Sequence, residues 1–254
     1  VQYVKNVNID NYFRVYGSSY DALNLIAQNY TFNPNYFDGT SLIPETGTLG
    51  VISDVQNGLV VVNNNDQQTI NSIEERRLRL TENNLIIATS YTFSKTTKTD
   101  LLDNTFFTFK TKVESAGNVA SLIAAAAKQL KNDNGSNTLF QIEYSQYIKT
   151  EFDFIKHWDL RRKRVLAMRL FTGIAIPYGN SNSIPFSRSY FGGGSNDNRA
   201  WRPYGLGPGA SGAINDFNEA NMKLAFSTEL RFNLFGDLYG AVFTDIGNIW
   251  NVLD

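Results

Sequence analysis

Between Ala220 and Leu234 the chain alternates with a period of two. Ala220, Met222, Leu224, Phe226, Thr228, Leu230, Phe232 and Leu234 fall on one parity, and Asn221, Lys223, Ala225, Ser227, Glu229, Arg231 and Asn233 on the other. Successive side chains of a β-strand point to opposite faces, so this pattern describes a strand with one apolar and one ionisable face. Phe140–Phe154 repeats it, with Phe140, Ile142, Tyr144, Gln146, Ile148, Thr150, Phe152 and Phe154 against Gln141, Glu143, Ser145, Tyr147, Lys149, Glu151 and Asp153. Both stretches far exceed the ~5–6 residues of an ordinary globular strand. A transmembrane β-barrel, polar in its lumen and apolar towards lipid, is built from such strands. A large soluble barrel or sandwich has the same periodicity, with the apolar face turned to a core.

Loop lengths separate these alternatives. Further strands are expected at Leu85–Lys95, Thr105–Ser115, Arg164–Ile176 and Leu238–Trp250, with a short one at Val1–Ile9. The turns near Asp100–Asn104, Lys156–Arg162 and Phe235–Asp237 are short, whereas Asp10–Asn84, Ala116–Asn137 and Pro177–Asn218 are long. Tight turns at one end and long loops at the other are the asymmetry of an outer-membrane barrel, with periplasmic turns and extracellular loops. Tyr91, Phe93, Phe152, Trp158 and Trp250 near strand ends suit an interfacial aromatic girdle. The first long loop is expected to carry helices around Thr69–Glu82 and Asp21–Asn29. The former has Glu74–Arg77 and Glu75–Arg79 at helical spacing. Asn57–Asp66 reads as turn-rich, and Ala116–Asn137 mixes Ala-rich helix propensity with an Asn134-Gly135 turn.

Composition removes several chemistries. The chain has no cysteine and a single histidine, His157, which excludes thiol catalysis, disulfides and Cys- or His-rich metal sites. No metal or cofactor is expected. A net charge of −1 offers no electrostatic case for nucleic acid as a partner. The longest nearly uninterrupted apolar run is Val119–Ala127, short of the ~20 residues of a transmembrane helix.

Pro177–Asn218 is the most informative segment. It holds eight of the 19 glycines and four of the six prolines. Its length exceeds the ~12–15 residues beyond which a structureless loop is usually functional. It contains Gly192-Gly193-Gly194, then Asn198-Arg199-Ala200-Trp201-Arg202-Pro203, then Gly205-Leu206-Gly207-Pro208-Gly209. A phosphate-binding glycine loop would need a preceding strand, a lysine and a following helix, which are missing.

These residues resemble the sixth extracellular loop of the BamA/TamA superfamily of outer-membrane assembly barrels. That loop carries a Gly-Gly-x-x-x-x-Arg-Gly-aromatic core, matched by Gly193–Trp201 except that Ala200 replaces the glycine after the arginine. Glu229-Leu230-Arg231-Phe232 is similar to the family's Glu-x-Arg-aromatic strand. Phe243-Thr244-Asp245-Ile246-Gly247-Asn248-Ile249-Trp250 is similar to its Phe-x-Asp-x-Gly-Asn-x-Trp strand. The wording is most like the Bacteroidetes branch. The resemblance covers about Leu85 to Trp250. It implies an all-β, sixteen-stranded antiparallel barrel in the Gram-negative outer membrane. About seven of those strands would lie in this chain, so the chain is expected to be part of a larger barrel. On this reading residues 10–84 form a long extracellular loop with short helices, and residues 177–218 form a loop folded into the lumen. The resemblance further implies that Arg199 pairs with acids of the inner wall. Strand parity agrees: a three-residue turn at Phe235–Asp237 puts Glu229 opposite Phe243 and diagonal to Asp245, about 7–8 Å away, within reach of one guanidinium.

The function implied is non-enzymatic folding and insertion of barrel proteins, with outer-membrane lipids, unfolded outer-membrane proteins and accessory assembly lipoproteins as partners. Protein translocation of the two-partner-secretion kind and a passive pore are the alternatives. A lipid hydrolase would need a Ser–His pair, and His157 is expected in a turn beside Trp158. Arg169, Lys223, Glu143 and Asp153 are expected to form a hydrated ionic network in the lumen. Arg161-Arg162-Lys163-Arg164 reads as a solvated turn within reach of lipid head groups.

Overall fold

The computed structural model describes residues 2–4, 12–81, 84–126, 131, 135–140, 142–210 and 218–252. In chain order its elements are β1 (Gln2–Val4), α1 (Tyr12–Val15), α2 (Gly17–Asn29), β2 (Phe37–Asp38), β3 (Ser41–Leu42), α3 (Thr46–Gln56), α4 (Asn64–Thr81), β4 (Asn84–Ile86), β5 (Ala88–Thr96), β6 (Phe107–Ala116), α5 (Asn118–Ala126), β7 (Thr138–Leu139), β8 (Ile142–Glu143), β9 (Tyr147–Asp159), β10 (Arg164–Pro177), β11 (Met222–Phe235) and β12 (Leu238–Trp250). They divide into a β unit and a helical unit.

The β unit is built on one six-stranded sheet of order β12-β11-β10-β9-β6-β5. Every pairing in it is antiparallel. The register carries the alternation from strand to strand. Thr111, Phe152, Thr172, Leu224 and Asn248 share a row, as do Lys110, Asp153, Phe171, Ala225 and Gly247. One face of the sheet therefore collects the apolar side chains and the other the ionisable ones. The apolar face is left open: Tyr91, Phe152, Leu170, Val242 and Ile246 are all exposed. No helix among the described residues is long and apolar enough to cross a membrane, which leaves the strands as the elements able to do so.

The structure departs from the expected elements in four places. The strand expected at Phe140–Phe154 starts at Tyr147 and runs to Asp159. Phe140 has a left-handed φ of 56°, and the short β7–β8 hairpin reverses the chain around it. Leu139 and Tyr144 pack inward with Leu85, Ala120 and Ala124, with Ile142 packed against them. The alternation runs on through this hairpin without the chain remaining extended. The turn after the strand accordingly moves to residues 160–163, where Arg161, Arg162 and Lys163 all have positive φ.

The strand expected at Leu85–Lys95 breaks at Ile87. Asn84–Ile86 pairs with Gln2–Val4, and Ala88–Thr96 joins the large sheet. Of the expected Val1–Ile9 strand only Gln2–Val4 is described; Val1 and residues 5–9 lie outside the described residues. The β11–β12 turn is also shorter than expected. Phe235 pairs with Leu238, leaving Gly236 and Asp237 as a two-residue turn. An irregularity between Asn233 and Phe235 restores the parity, so Glu229 still stands opposite Phe243.

The helical unit has its own core of Tyr12, Phe13, Leu23, Ile26, Leu42, Val51, Ile52, Ile70 and Ile73. The helices expected at Asp21–Asn29 and Thr69–Glu82 are present in longer form as α2 and α4. Asn63 sets the start of α4 by accepting a hydrogen bond from the Asp66 amide (2.8 Å). Glu74 and Arg77 pair at 2.6 Å. Helix α3 has no counterpart in the sequence reading. Its Thr, Val and Gly content argues against a helix, but Val51, Ile52 and Val55 are buried. Gly50 lets α3 lie on the Tyr36 ring, where a Cβ would come within 2.5 Å of a ring carbon.

Candidate functional site

The site is the contact between loop residues 178–210 and the ionisable face of the sheet. Arg199 lies at its centre. Its Nε donates to Asp245 Oδ2 (2.8 Å) and its Nη2 to Asp245 Oδ1 (2.9 Å), a two-pronged pair. Its Nη1 donates to Glu229 Oε2. Its backbone amide also donates to Asp245 Oδ2 (3.2 Å). The guanidinium carbon stands 3.5 Å from the centroid of the Phe243 ring. Arg231 donates to the other oxygen of Glu229 (2.6 Å), so that carboxylate is shared by two cations. The Asp245 side chain is 5 % exposed and that of Arg199 25 %. Hydrogen bonding to Asp245, with Glu229 adding to it, pushes the Arg199 value further above its ordinary one, so the group stays charged at every physiological pH.

The sheet register makes this possible. Ser227 is opposite Asp245 and Glu229 is opposite Phe243, so the two acids are diagonal neighbours on one face.

Glycines shape the tip that presents Arg199. Gly193 and Gly194 have φ of 96° and 105°. A Cβ on Gly193 would come within 2.2 Å of the Arg202 carbonyl oxygen. The Gly194 amide donates to the Trp201 carbonyl (2.8 Å), closing the tip, while the Trp201 ring is exposed. Gly192 bridges to Leu206 at the base. Among the described residues of this loop, those with left-handed φ are Gly179, Gly193, Gly194, Tyr204, Gly207 and Gly209. Ala200 is not one of them, so the alanine that replaces the family's glycine meets no left-handed backbone penalty. Gly207, Pro208 and Gly209 run along the end of β12. The Gly209 amide donates to the Ile249 carbonyl (2.8 Å) and Asn248 Nδ2 to the Gly209 carbonyl (2.9 Å), beside the Trp250 ring.

Beyond the expected Arg169–Asp153 pair, wall cations make contacts with the loop that the sequence pattern does not show. Lys223 pairs with Asp197 (2.8 Å) and donates to the Phe191 carbonyl. Arg169 pairs with Asp153 (2.9 Å) and donates to the Asn196 carbonyl (3.1 Å). Lys149 donates to the Arg188 carbonyl (2.8 Å) and stands over the Tyr190 ring. The ionic network expected of Arg169, Lys223 and Asp153 thus reaches into the loop. Glu143 stands on β8, outside the large sheet.

Two strand glycines signal the close approach. A Cβ on Gly173 would come within 2.5 Å of the Tyr190 hydroxyl, and one on Gly247 within 2.8 Å of Asn198 Oδ1. Glycine inside a strand marks such a contact, so this signal was available in the sequence.

His157 is a correction. It lies in β9 rather than in a turn, stacked on Phe106 at 4.3 Å between centroids. Its Nδ1 has no hydrogen-bond partner among the described residues. No group of three or more potential metal-ligating residues occurs among the described residues.

A family profile, the Omp85 superfamily domain, matches residues 7–252. The chain belongs to the Omp85 superfamily. This is a superfamily of Gram-negative outer-membrane β-barrels that insert or translocate proteins and are not enzymes. The six-stranded sheet is accordingly a section of an antiparallel barrel wall, its apolar face directed to lipid and its ionisable face to the lumen. Comparison with curated proteins gave no match.

Proposed function

We propose that this barrel domain assists the folding and insertion of other β-barrel proteins into the outer membrane. Superfamily membership supports the general class, and the Arg199 contact is the observation that carries the reading. In this reading residues 177–218 are a lumenal loop, and Arg199, Asp245 and Glu229 are a lock that fastens its tip to the wall. The lock is structural: a guanidinium held by two carboxylates stays protonated and does no acid–base chemistry. By pinning the loop it stiffens the wall on which an incoming strand would be assembled. Residues 10–84 are then an extracellular loop folded into a small helical unit. Unfolded outer-membrane proteins, surrounding lipids and accessory assembly lipoproteins are the proposed partners.

Depletion of the protein tests the function. The expected outcome is a fall in the amounts of folded outer-membrane barrels. Unchanged amounts, together with ion conductance by the purified protein, would instead establish a passive pore. A charge exchange tests the lock. Arg199→Asp and Asp245→Arg are each expected to impair assembly, and combining them to restore part of it. No recovery in the double variant would argue against a direct functional pair.

A further inference from the structure

The outward face of the sheet has a charge distribution that neither the lock nor the proposed function uses. The register sorts every residue of the six strands onto one face or the other. The lumenal face carries both signs, including Lys110, Glu151, Asp153, Arg169, Glu229 and Asp245. The regular pairing positions of the outward face carry no aspartate or glutamate at all. Their charged residues are Lys95, Lys156 and Arg164, and each lies near the short-turn end of its strand. The three do not share a row, being set two and four residues apart along the strands, but all lie towards the same end of an otherwise uncharged surface.

Their surroundings are those of a membrane interface. Lys156 is directly opposite Phe107, and its ammonium stands 5.9 Å from the Phe107 ring and 5.8 Å from the Trp158 ring. An amphipathic lysine among aromatic side chains keeps its stem in the apolar layer and its charge at head-group depth. The adjoining turn adds Arg161, Arg162 and Lys163. The nearby acids are partly committed to the backbone. Asp100 Oδ1 accepts from the Leu102 and Asp103 amides, Asp103 from Thr99 and Thr105, and Asp159 from Arg161.

We propose that Lys95, Lys156 and Arg164 form a cationic belt that selects anionic phospholipid head groups in the leaflet on the short-turn side. The proposal rests on the lipid-facing assignment of the apolar face. Charge complementarity commits the surface to a phosphate-bearing lipid: three cations towards the short-turn end, with no outward acid to oppose them, favour an anionic neighbour over a zwitterionic one. The expected preference is about five-fold per cation–lipid contact at low salt, falling as ionic strength rises.

The test uses the full-length protein in nanodiscs of phosphatidylcholine and phosphatidylglycerol, with spin-labelled versions of each lipid reporting the composition of the boundary layer. The intact protein is expected to hold phosphatidylglycerol at least about three-fold over phosphatidylcholine. The combined Lys95→Gln, Lys156→Gln, Arg164→Gln variant should bring that ratio close to one while remaining folded by heat-modifiable electrophoretic mobility. The lumenal Lys110→Gln variant should leave it unchanged. An equal ratio in the intact protein, or an unaltered ratio in the triple variant, overturns the belt. So does a preference that disappears only in the Arg161→Gln, Arg162→Gln, Lys163→Gln variant, which would locate the effect in the turn. In the same discs a probe at Leu170→Cys should be quenched by lipid-borne and not water-borne quenchers. A water-exposed probe would refute the lipid-facing assignment itself, whereas a lipid-buried probe with no anion preference would refute the belt alone.

Discussion

At the scale of single residues, Arg199 carries more than any other side chain. Its guanidinium has two oxygens of Asp245 and one of Glu229 as acceptors and the Phe243 ring beneath it. Arg199→Ala would leave the Asp245 carboxylate, 5 % exposed, without its main cation. The expected cost is about 3 kcal/mol, because an unpaired buried charge loses both its partner and its hydration. Arg199→Lys should recover only part of it, since an ammonium cannot make the two-pronged pair. Denaturant midpoints in detergent micelles, with protease cleavage between Gly193 and Trp201 as the local readout, check both. Equal stability of the alanine variant and the parent would remove the lock from the account of this loop.

At the scale of elements, the β11–β12 hairpin decides whether the lock can form. Its two-residue turn alone would set the pairing so that Glu229 and Asp245 faced opposite sides; the irregularity at Leu234 returns them to one face. The absence of native cysteine makes this register directly measurable. Thr228→Cys with Thr244→Cys, directly opposed in the hairpin, is expected to form a disulfide on mild oxidation. Thr228→Cys with Phe243→Cys should not, because those side chains leave opposite faces.

The β5–β6 turn gives a pH prediction. Amides of Thr105 and then Thr99 hydrogen-bond to Asp103 and hold its carboxyl below the ordinary carboxylate range. A lowered folded-state value means that the stabilisation is present above the unfolded value and is lost as pH falls through the folded one. The protection of the Thr99 and Thr105 amides, taken relative to their intrinsic exchange rate at each pH, should therefore be constant across neutral pH and fall only in acid, below about pH 4. In Asp103→Asn the acid-dependent loss of protection should vanish.

At the scale of the whole molecule, the open apolar face is the dominant fact. A surface that exposes Phe152, Leu170, Val242 and Ile246 together needs lipid or detergent to cover it. Leu170→Arg is expected to destabilise the folded barrel in vesicles by about 2–4 kcal/mol, the cost of a cation at bilayer depth. Thr92→Arg, on the lumenal face, should cost less than about 1 kcal/mol, because lumenal positions remain hydrated. Urea unfolding from vesicles separates the two. Equal effects would mean that both faces meet water.

The sequence by itself determined the strand-rich architecture, the identity of the two faces and the superfamily. It could do so because a period of two is a local property, repeated over enough residues to outweigh any single exception. It also marked Arg199, Glu229 and Asp245, since parity can be counted along a hairpin. Where the chain departs from regular extension, only the tertiary structure decided. Phe140 turns left-handed because Leu139 and Tyr144 find a separate cluster to fill, and α3 forms against its own propensity because burying Val51, Ile52 and Val55 outweighs it. The partners of Asp197, Asn196 and Arg188 were likewise beyond the sequence. They depend on how a glycine-rich loop lies across four strands, and that path follows from contacts distant in sequence rather than from any local pattern.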